Sequence, residues 1–324
     1  MDSAPSSSTA AASLQLPNPG TVENLQKEVK NVHLTNYFFD GARADLNKTL
    51  SASPFFQVTH SFALASPTAL PSYTFGAVYA KEDKHLLQGS VDYQGNVNAR
   101  LNHYWAPANV TKFQAQLSQQ DGHNMIQMEH DYQGRDFSFN ARSINPSPTD
   151  LAGIYMTSWL QSVTKSLAFG TEALYQRSAG QSEMNLSYLV KYTSGQRDWI
   201  GTAQFQPTGL LMATYWQRLS EKVEVAAELQ LVAARSAQRR SAVATLGAKY
   251  ELRMSTFRAQ LDSTGKVSAL LEQRFAPSFA FLFAGEIDHF KPSLSTERSK
   301  VGVGVMIESS SLMPEEMGQP SPYA

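Results

Sequence analysis

The sequence has no cysteine, few charged residues and no long apolar run. The absence of cysteine excludes disulfide bonds, thiol nucleophiles and cysteine-ligated metals. Charged residues make up only 17% of the chain, whereas soluble domains typically contain roughly 25%. Because no stretch reaches about 18 apolar residues, a transmembrane helix is excluded. If the chain crosses a bilayer, it must therefore do so as a closed barrel of strands.

The charges that are present nearly cancel, since 27 basic and 28 acidic residues leave a formal net charge of -1. Domains that bind nucleic acid normally carry a basic excess, so we expect no nucleic-acid partner. The mean hydropathy is -0.31 although 42% of the residues are hydrophobic. Much of the polarity belongs to neutral Gln, Asn, Ser and Thr, which suit a hydrated lumen that must not hold one partner too strongly.

The N-terminal part of the chain differs in composition from the rest. Residues 1–20, rich in Ser, Ala and Pro, are predicted to form a disordered tail, and they lack the patterns of cleaved targeting peptides. Residues 21–54 are predicted to be a helical segment, with Thr21 as N-cap. Its apolar residues recur at spacings of three and four: Val22, Leu25, Val29 and Val32. This amphipathic helix would pack either on an unspecified apolar surface or inside or against a barrel.

From about Phe55 to Glu308 polar and apolar side chains alternate with a period of two, which is typical of strands with one apolar face. In residues 112–117, for example, Phe113 and Leu117 lie on the opposite face from Lys112 and Gln116. We count about 18 such runs, each with its turn about 14 residues long, close to the spacing of tilted membrane strands. Turn sequences separate the runs at 93–96, 121–124 and 263–265. Residues 309–324 are predicted to form a C-terminal tail, to which the sequence assigns no clear independent role.

A soluble antiparallel sandwich or propeller would also alternate in this way. Three features favour a membrane barrel. The polar faces carry mostly amides and hydroxyls instead of charges. The series is long and has no internal repeat of about 40 residues. Aromatic residues recur near strand ends, as expected at membrane interfaces: Tyr73, Trp105, Tyr132, Trp159, Tyr175, Tyr192, Trp199 and Tyr215.

No arrangement typical of catalysis or metal binding is present in the sequence. The seven histidines have no metal-ligand spacing, no glycine-rich phosphate loop occurs, and the serines lack a G-x-S-x-G context. We interpret His60 and His103 as ordinary strand residues. The expectation is that the chain is not an enzyme and has no cofactor or metal.

Four ordered segments carry a more specific resemblance: NPGTVENLQKEVKNV, LNKTLSASPFFQVTHSFAL, GSVDYQGNVNARL and WLQSVTKSLAFGTEALY. They resemble the channel-forming subunits of the translocase of the outer mitochondrial membrane (the TOM complex), a branch of the mitochondrial porin superfamily. The resemblance implies a barrel of nineteen strands in the mitochondrial outer membrane, with the first and last strands parallel. Our count of about 18 is then one strand short, and we expect the missing strand near residues 150–175. A metabolite porin of the voltage-dependent anion channel type shares the fold but lacks these segments, and it remains the alternative.

The last predicted strand also resembles the β-signal by which mitochondrial barrels are recognised for insertion. That signal has a polar residue, a glycine and two hydrophobic residues at fixed spacing. The matching positions are Lys300, Gly302, Val305 and Ile307.

The resemblance implies that the chain passes unfolded precursor proteins, whose presequences are cationic. By parity we assign to the lumen the carboxylates Asp92, Glu129, Asp131, Glu172, Glu224, Glu228 and Asp262, and the amides Gln114, Gln116, Gln127 and Gln204. Carboxylates on the wall would attract presequences weakly enough for them to slide. The alternative is that the carboxylates pair across strands with basic residues and only stabilise the barrel: Arg100, Lys112, Arg142, Lys191, Arg258 and Arg274. The implied partners are precursor proteins, receptor and small helical subunits, outer-membrane lipids and a second barrel in a homodimer.

Overall fold

The computed structural model describes residues 16–66, 70–81, 84–119, 124–147, 152–178, 181–233, 240–291 and 298–310. These residues form one short helix and nineteen β-strands that close into a barrel. Of the two predicted tails, residues 1–15 and 311–324 lie outside the described residues, as do residues 121–123 of one predicted turn.

The elements in chain order are α1 (Lys27–Val32), β1 (Gly41–Ala52), β2 (Phe55–Ala63), β3 (Ser72–Lys81), β4 (His85–Asp92), β5 (Val97–Ala106), β6 (Asn109–Leu117), β7 (Met125–Gln133), β8 (Phe137–Ile144), β9 (Gly153–Ser162), β10 (Leu167–Ser178), β11 (Gln181–Thr193), β12 (Trp199–Gln206), β13 (Leu210–Ser220), β14 (Val223–Val232), β15 (Ser241–Glu251), β16 (Ser255–Asp262), β17 (Lys266–Ala276), β18 (Phe279–Asp288) and β19 (Ser299–Ser310).

The alternation seen in the sequence becomes the two faces of the wall, because successive side chains of a strand point to opposite sides. In β7, Met128 and His130 are exposed, whereas Glu129 and Asp131 are buried. Tight turns join many of the strands. Gly95 and Gly265 lie in two of the predicted turns with φ of 80° and 83°, a conformation that glycine adopts without a steric penalty.

Each strand pairs antiparallel with its chain neighbours, and the barrel is closed by a parallel pair, β1 with β19. Gly41 faces Gly302 and Leu46 faces Ile307 across this seam. The parallel seam follows from the odd number of strands. In an antiparallel series all odd-numbered strands run in the same direction, so the first and the nineteenth strand are parallel where they meet. The nineteen strands and the parallel closure confirm the fold that the resemblance implied.

The missing strand was placed wrongly. Eighteen strands, β2–β19, begin at or after Phe55, so the count within the predicted barrel was right. The nineteenth strand is β1, in the segment assigned to the helix, whereas β9 and β10 occupy the region near 150–175. On the outer face of β1 the exposed Lys48 lies between Leu46 and Leu50, and this charge interrupts the apolar alternation by which the other strands were found.

The N-terminal helix is shorter than its apolar spacing indicates. Only the six residues of α1 are helical, and the longer helix is not confirmed. Before α1 the backbone forms tighter turns, in which Asn24 N donates to Thr21 O and Leu25 N to Val22 O. The residue at the N-cap of α1 is Gln26 and not the predicted Thr21, and its side chain forms no capping hydrogen bond. No helix within the described ranges is long and apolar enough to span a membrane.

Residues 16–40, here called the N-terminal segment, lie inside the barrel. Their hydrogen bonds with the wall extend from β6 to β16: Lys112 with Glu23, Ser162 with Pro17, Lys191 with Pro19, Met212 with Gln26, and Gln260 with Leu34. One short segment can reach strands this far apart only across the enclosed space. The face that carries these contacts is therefore the inner face.

We expect Gly302→Val to destabilise the seam by about 1–3 kcal/mol, the usual cost of overpacking. A Cβ at Gly302 would lie less than 3.0 Å from the Phe39 carbonyl oxygen and 2.9 Å from its ring, and backbone cannot move aside cheaply. Gly285→Val is the matched control, since no atom lies within 4 Å of a Cβ there. Urea unfolding in detergent measures both, and equal midpoints would contradict the packing argument.

Candidate functional site

The carboxylates and amides that the sequence assigned to the lumen all lie on the inner face. Residues directly opposite in adjacent strands share a face, so the contacts of the N-terminal segment extend the assignment around the barrel through the strand register. The positions are Asp92, Gln114, Gln116, Gln127, Glu129, Asp131, Glu172, Gln204, Glu224, Glu228 and Asp262.

The densest charge arrangement on the inner face surrounds Lys112. Its Nζ lies 2.6 Å from Glu23 Oε2, 2.8 Å from Asp131 Oδ2 and 3.3 Å from Glu129 Oε1. Glu129 and Asp131 are each only 3% exposed. The three carboxylates are close enough together to resemble a metal site, but the ammonium group lies among them. The ammonium group of Lys112 thus supplies the positive charge that a metal ion would supply at such a site.

Arg142 and Asn140 complete what we call the Lys112 cluster: Glu23, Lys112, Glu129, Asp131, Asn140 and Arg142. Arg142 Nη2 lies 2.8 Å from Glu129 Oε2 and 3.7 Å from Glu23 Oε1. Asn140 Nδ2 donates to Glu129 and Asp131 at 2.6 and 2.5 Å. Two of the predicted lumen carboxylates are therefore held by basic residues of the wall, as in the stabilising alternative. The cluster also ties the N-terminal segment to β6–β8 through Glu23.

Acidification is expected to weaken the ion pair between Glu23 and Lys112, which holds the N-terminal segment against the wall. Burial alone raises the pKa of Glu23, but the hydrogen bond and charge of Lys112 and the charge of Arg142 outweigh it, so its pKa is below the ordinary 4.5. A lowered folded-state pKa means that the stabilisation is present above about pH 4.5 and is lost as the pH falls through the folded value. Because Glu23 is 41% exposed, we expect a small effect, about 0.2–1 kcal/mol.

The measurement is the mobility of a spin label on Lys27→Cys, which would be the only cysteine of the chain. From pH 7 to pH 4 the label should become more mobile. In a Glu23→Gln background it should be slightly more mobile at pH 7 and change less with pH. Identical pH profiles for the two proteins would exclude Glu23 as the cause.

The remaining predicted carboxylates have weaker or different partners. Glu172 accepts from Gln204 at 3.2 Å, Glu224 lies 3.5 Å from Arg218, and Glu228 lies 3.5 Å from His33. These three carboxylates are less tightly held by basic side chains than Glu129 and Asp131 are.

Asp92 and Asp262 have local roles at the ends of β4 and β16. Their Oδ1 atoms accept from the backbone N–H groups of Tyr93 and Thr264, at 2.7 and 3.2 Å. Since both strands are even-numbered, both residues lie at the same end of the barrel, away from the Lys112 cluster.

The other basic residues of the stabilising alternative do not all pair with the predicted carboxylates. Arg100 donates to Asn102, and Lys191 donates to the Pro19 carbonyl at 2.8 Å. Arg274 pairs with Glu272, and Arg258 lies over the Tyr37 ring and donates to the Asn31 carbonyl. Among the described residues, these basic side chains therefore pair with predicted carboxylates at the Lys112 cluster alone.

An apolar inner patch was missed by the parity analysis. Large apolar residues occupy inner positions of β9, β11, β12, β13 and β17: Leu160, Leu189, Ile200, Trp216 and Leu270. The N-terminal segment packs on them with Leu25, Val29, Val32 and Leu34, which are at most 4% exposed. A break in the alternation could have revealed them, because each is an apolar residue at a position where the alternation predicts a polar one. This patch explains why the segment is apolar on one face.

A basic cavity of about 600 Å³ lies between the segment and the turns at the start of β10 and β12. Lys27, Lys165, Lys191 and Arg197 line it, with Glu28 as the one carboxylate. Within the described part of the chain, none of these four cations forms an ion pair. The inner wall is therefore not uniformly acidic.

The outer face carries the predicted aromatic residues. Trp105 is 70% exposed, and Tyr132, Trp159, Tyr175, Tyr192 and Tyr215 are 38–42% exposed. Several form ring ladders across strands, such as Tyr192, Trp199 and Tyr215, with centroids 4.7 and 5.9 Å apart. Exposed aromatic rings of this kind suit a lipid-facing surface.

The four positions of the predicted insertion signal divide between the faces of β19. Lys300 faces Glu286 across the β18 pairing and Gly302 packs under Phe39, both on the inner side. Val305 and Ile307 lie on the outer side, where Ile307 is 38% exposed.

Comparison with known proteins agrees with this architecture. A family model described as "Eukaryotic porin" matches residues 18–302. The mitochondrial import receptor subunit TOM40 of Saccharomyces cerevisiae is 42% identical, over 92% of this chain and 80% of the relative. The corresponding subunit of Neurospora crassa is 39% identical, over 91% and 84%, and the Homo sapiens homolog is 30% identical, over 81% and 72%. The likeness confirms the location in the mitochondrial outer membrane. The chain therefore belongs to the eukaryotic porin family, in the branch of the TOM40 subunits.

Proposed function

We propose that this barrel is the channel through which unfolded precursor proteins cross the mitochondrial outer membrane. The main support is its extensive identity to subunits named for mitochondrial import. The geometry is compatible, since barrels of 16–18 strands already leave an aqueous channel and this one has nineteen. Its inner wall carries the amides and carboxylates that a hydrated path requires.

Cationic presequences are proposed to slide along the carboxylates of the inner wall. Glu172, Glu224 and Glu228 are the first candidates, because they are less tightly paired than Glu129 and Asp131. Within a Debye length of about 8 Å each would attract a passing arginine weakly, so that the chain is held without being trapped. The amides would keep the rest of the path wet.

The Lys112 cluster and the basic cavity refine this path. A presequence could use Glu129 and Asp131 only by displacing Lys112 and Arg142, which already neutralise them. The cavity with Lys165 and Arg197 would repel a cationic segment. We therefore place the path past Glu224 and Glu228 on β14, beside the N-terminal segment, which packs on β13 and β14 and reaches Glu228 through His33.

The outside of the barrel is proposed to meet the remaining partners. The exposed aromatic and aliphatic residues suit outer-membrane lipids and the helices of small TOM subunits. Receptor subunits and a second barrel, in a homodimer, would use the same outer surface. Lys300, Gly302, Val305 and Ile307 are proposed to be recognised during insertion, before β1 and β19 pair.

Single-channel recording in planar bilayers tests the proposal. A presequence peptide should block the current, and a version with its arginines replaced by glutamine should block much less. In the variant Glu224→Gln/Glu228→Gln the block should weaken severalfold, whereas Lys222→Gln, at an exposed turn, is the control. A pore that closes with voltage and ignores the peptide would support the metabolite porin instead.

A further inference from the structure

A row of polar side chains crosses the outer face of β4–β7. His85, His103, Thr111 and His130 lie directly opposite one another in adjacent strands. The next row on the same face is apolar and consists of Leu87, Leu101, Phe113 and Met128. His85 begins β4, and His103 is near the end of β5. The polar row therefore lies near one rim of the barrel, where water and lipid headgroups can reach it.

Within this row His85 and His103 form a close pair. Their Nδ1 atoms are 3.0 Å apart, and their ring centroids are 4.7 Å apart with a 24° angle between the planes. Trp105 packs edge-on against His103 at 4.4 Å and donates its indole N–H to Thr111 at 3.0 Å. This contact restricts the His103 ring, so the pair is supported by its surroundings.

We propose that His85 and His103 bind a divalent transition metal ion, Cu²⁺ most tightly. Neutral imidazole is a good ligand for copper, nickel and zinc, and affinity in such sites rises to a maximum at Cu²⁺. Two nitrogens 3.0 Å apart, each about 2.05 Å from one ion, subtend an angle of about 94° at that ion. This angle suits neighbouring positions of a square-planar or tetragonal site better than a tetrahedral one. Water or headgroup oxygens would complete the coordination.

Binding requires only a change of tautomer. In the neutral pair one Nδ1–H donates to the other Nδ1, so one ring carries its proton on Nδ1. For both Nδ1 atoms to act as ligands, that proton moves to Nε2 of the same ring, and no net charge is gained or lost. The ion would then replace one hydrogen bond with two coordination bonds and tie β4 to β5 at the rim.

His130 does not belong to the proposed site. It lies two strands from His103, with Thr111 between them, and its Nδ1 is 3.0 Å from the Thr111 hydroxyl. Because it has the same chemistry, strand level and face as the pair, His130 provides a matched control.

The test is a Cu²⁺ titration of the tag-free full-length chain in detergent, followed by electron paramagnetic resonance. Wild type should bind one Cu²⁺ with hyperfine splitting from two nitrogens, and the ion should quench part of the tryptophan fluorescence through Trp105. His85→Gln and His103→Gln should each weaken binding at least tenfold and abolish the two-nitrogen splitting. His130→Gln should behave as wild type.

Glutamine keeps a polar side chain in the row, and circular dichroism verifies the barrel in every variant. Equal affinity and spectra in wild type and His103→Gln would overturn the proposal, as would a wild-type spectrum without two-nitrogen splitting. An equal loss in His130→Gln would also overturn it, because the binding would then not depend on the pair.

Discussion

Replacing Lys112 with methionine is expected to lower the free energy of unfolding by roughly 3–5 kcal/mol, the range found when one partner of a buried ion pair is removed. Methionine keeps much of the length and apolar volume of lysine but removes its charge. Glu129 and Asp131, each 3% exposed, would then lose the cation that they share, and Asp131 would keep Asn140 but no cation among its described partners. Urea unfolding in detergent, followed by circular dichroism, measures the loss.

Lys249→Met is the matched control for this prediction. Lys249 is also a lysine of the inner wall and also pairs with a carboxylate, but its partner Glu251 is 52% exposed. Water can solvate that carboxylate after the change, so we expect a cost of at most about 1 kcal/mol. If both variants lost the same stability, the burial of Glu129 and Asp131 would not be what makes Lys112 important.

Val32→Asp is expected to release the N-terminal segment from the wall. Val32 is fully buried against Ile200, Trp216 and Ala226. A carboxylate placed in this apolar contact would lose its hydration without gaining a partner. A loss of about 3 kcal/mol in docking free energy would lower the docking equilibrium constant more than a hundredfold. The barrel should remain folded, because its strand pairing does not involve Val32.

Single-channel conductance measures this release, since an undocked segment leaves more open cross-section. We expect a higher or noisier conductance in Val32→Asp. Asn31→Asp adds the same charge one residue earlier, on an exposed position, and should conduct as wild type. An unchanged conductance in Val32→Asp, with a spin label at residue 27 still immobile, would show that apolar packing does not hold the segment.

Most of the barrel could be predicted because one rule, alternation, acts on every strand independently. The rule failed where a residue on the outer face is charged, at Lys48 in β1. The length of α1 could not be predicted from the spacing of apolar residues either. Val22 and Leu25 have helical spacing, but tight turns place them against the wall just as a helix would. The local pattern thus predicted most of the strands, whereas the length of α1 depends on its tertiary contacts with the wall.

The candidate site was predictable in position and only partly in pairing. Parity places Glu129 and Glu228 on the inner face, and pairing of Glu129 with Lys112 and Arg142 was one of the alternatives. The contributions of Glu23 and His33 could not be predicted, because they depend on where the N-terminal segment lies. The apolar patch around Trp216 has the same origin. Its residues violate the alternation of their own strands, and only the docked segment supplies the reason.

We propose that polypeptides pass along the inner face of this barrel, and crosslinking from two adjacent wall positions distinguishes this path from one along the outer face. Since the chain has no cysteine, Gln204→Cys and Phe205→Cys each provide one thiol, on the inner and outer face respectively. A precursor arrested in transit and carrying a thiol-reactive probe should crosslink to Cys at 204 and not at 205. Crosslinking at 205 alone, or equally at both, would contradict a path through the lumen.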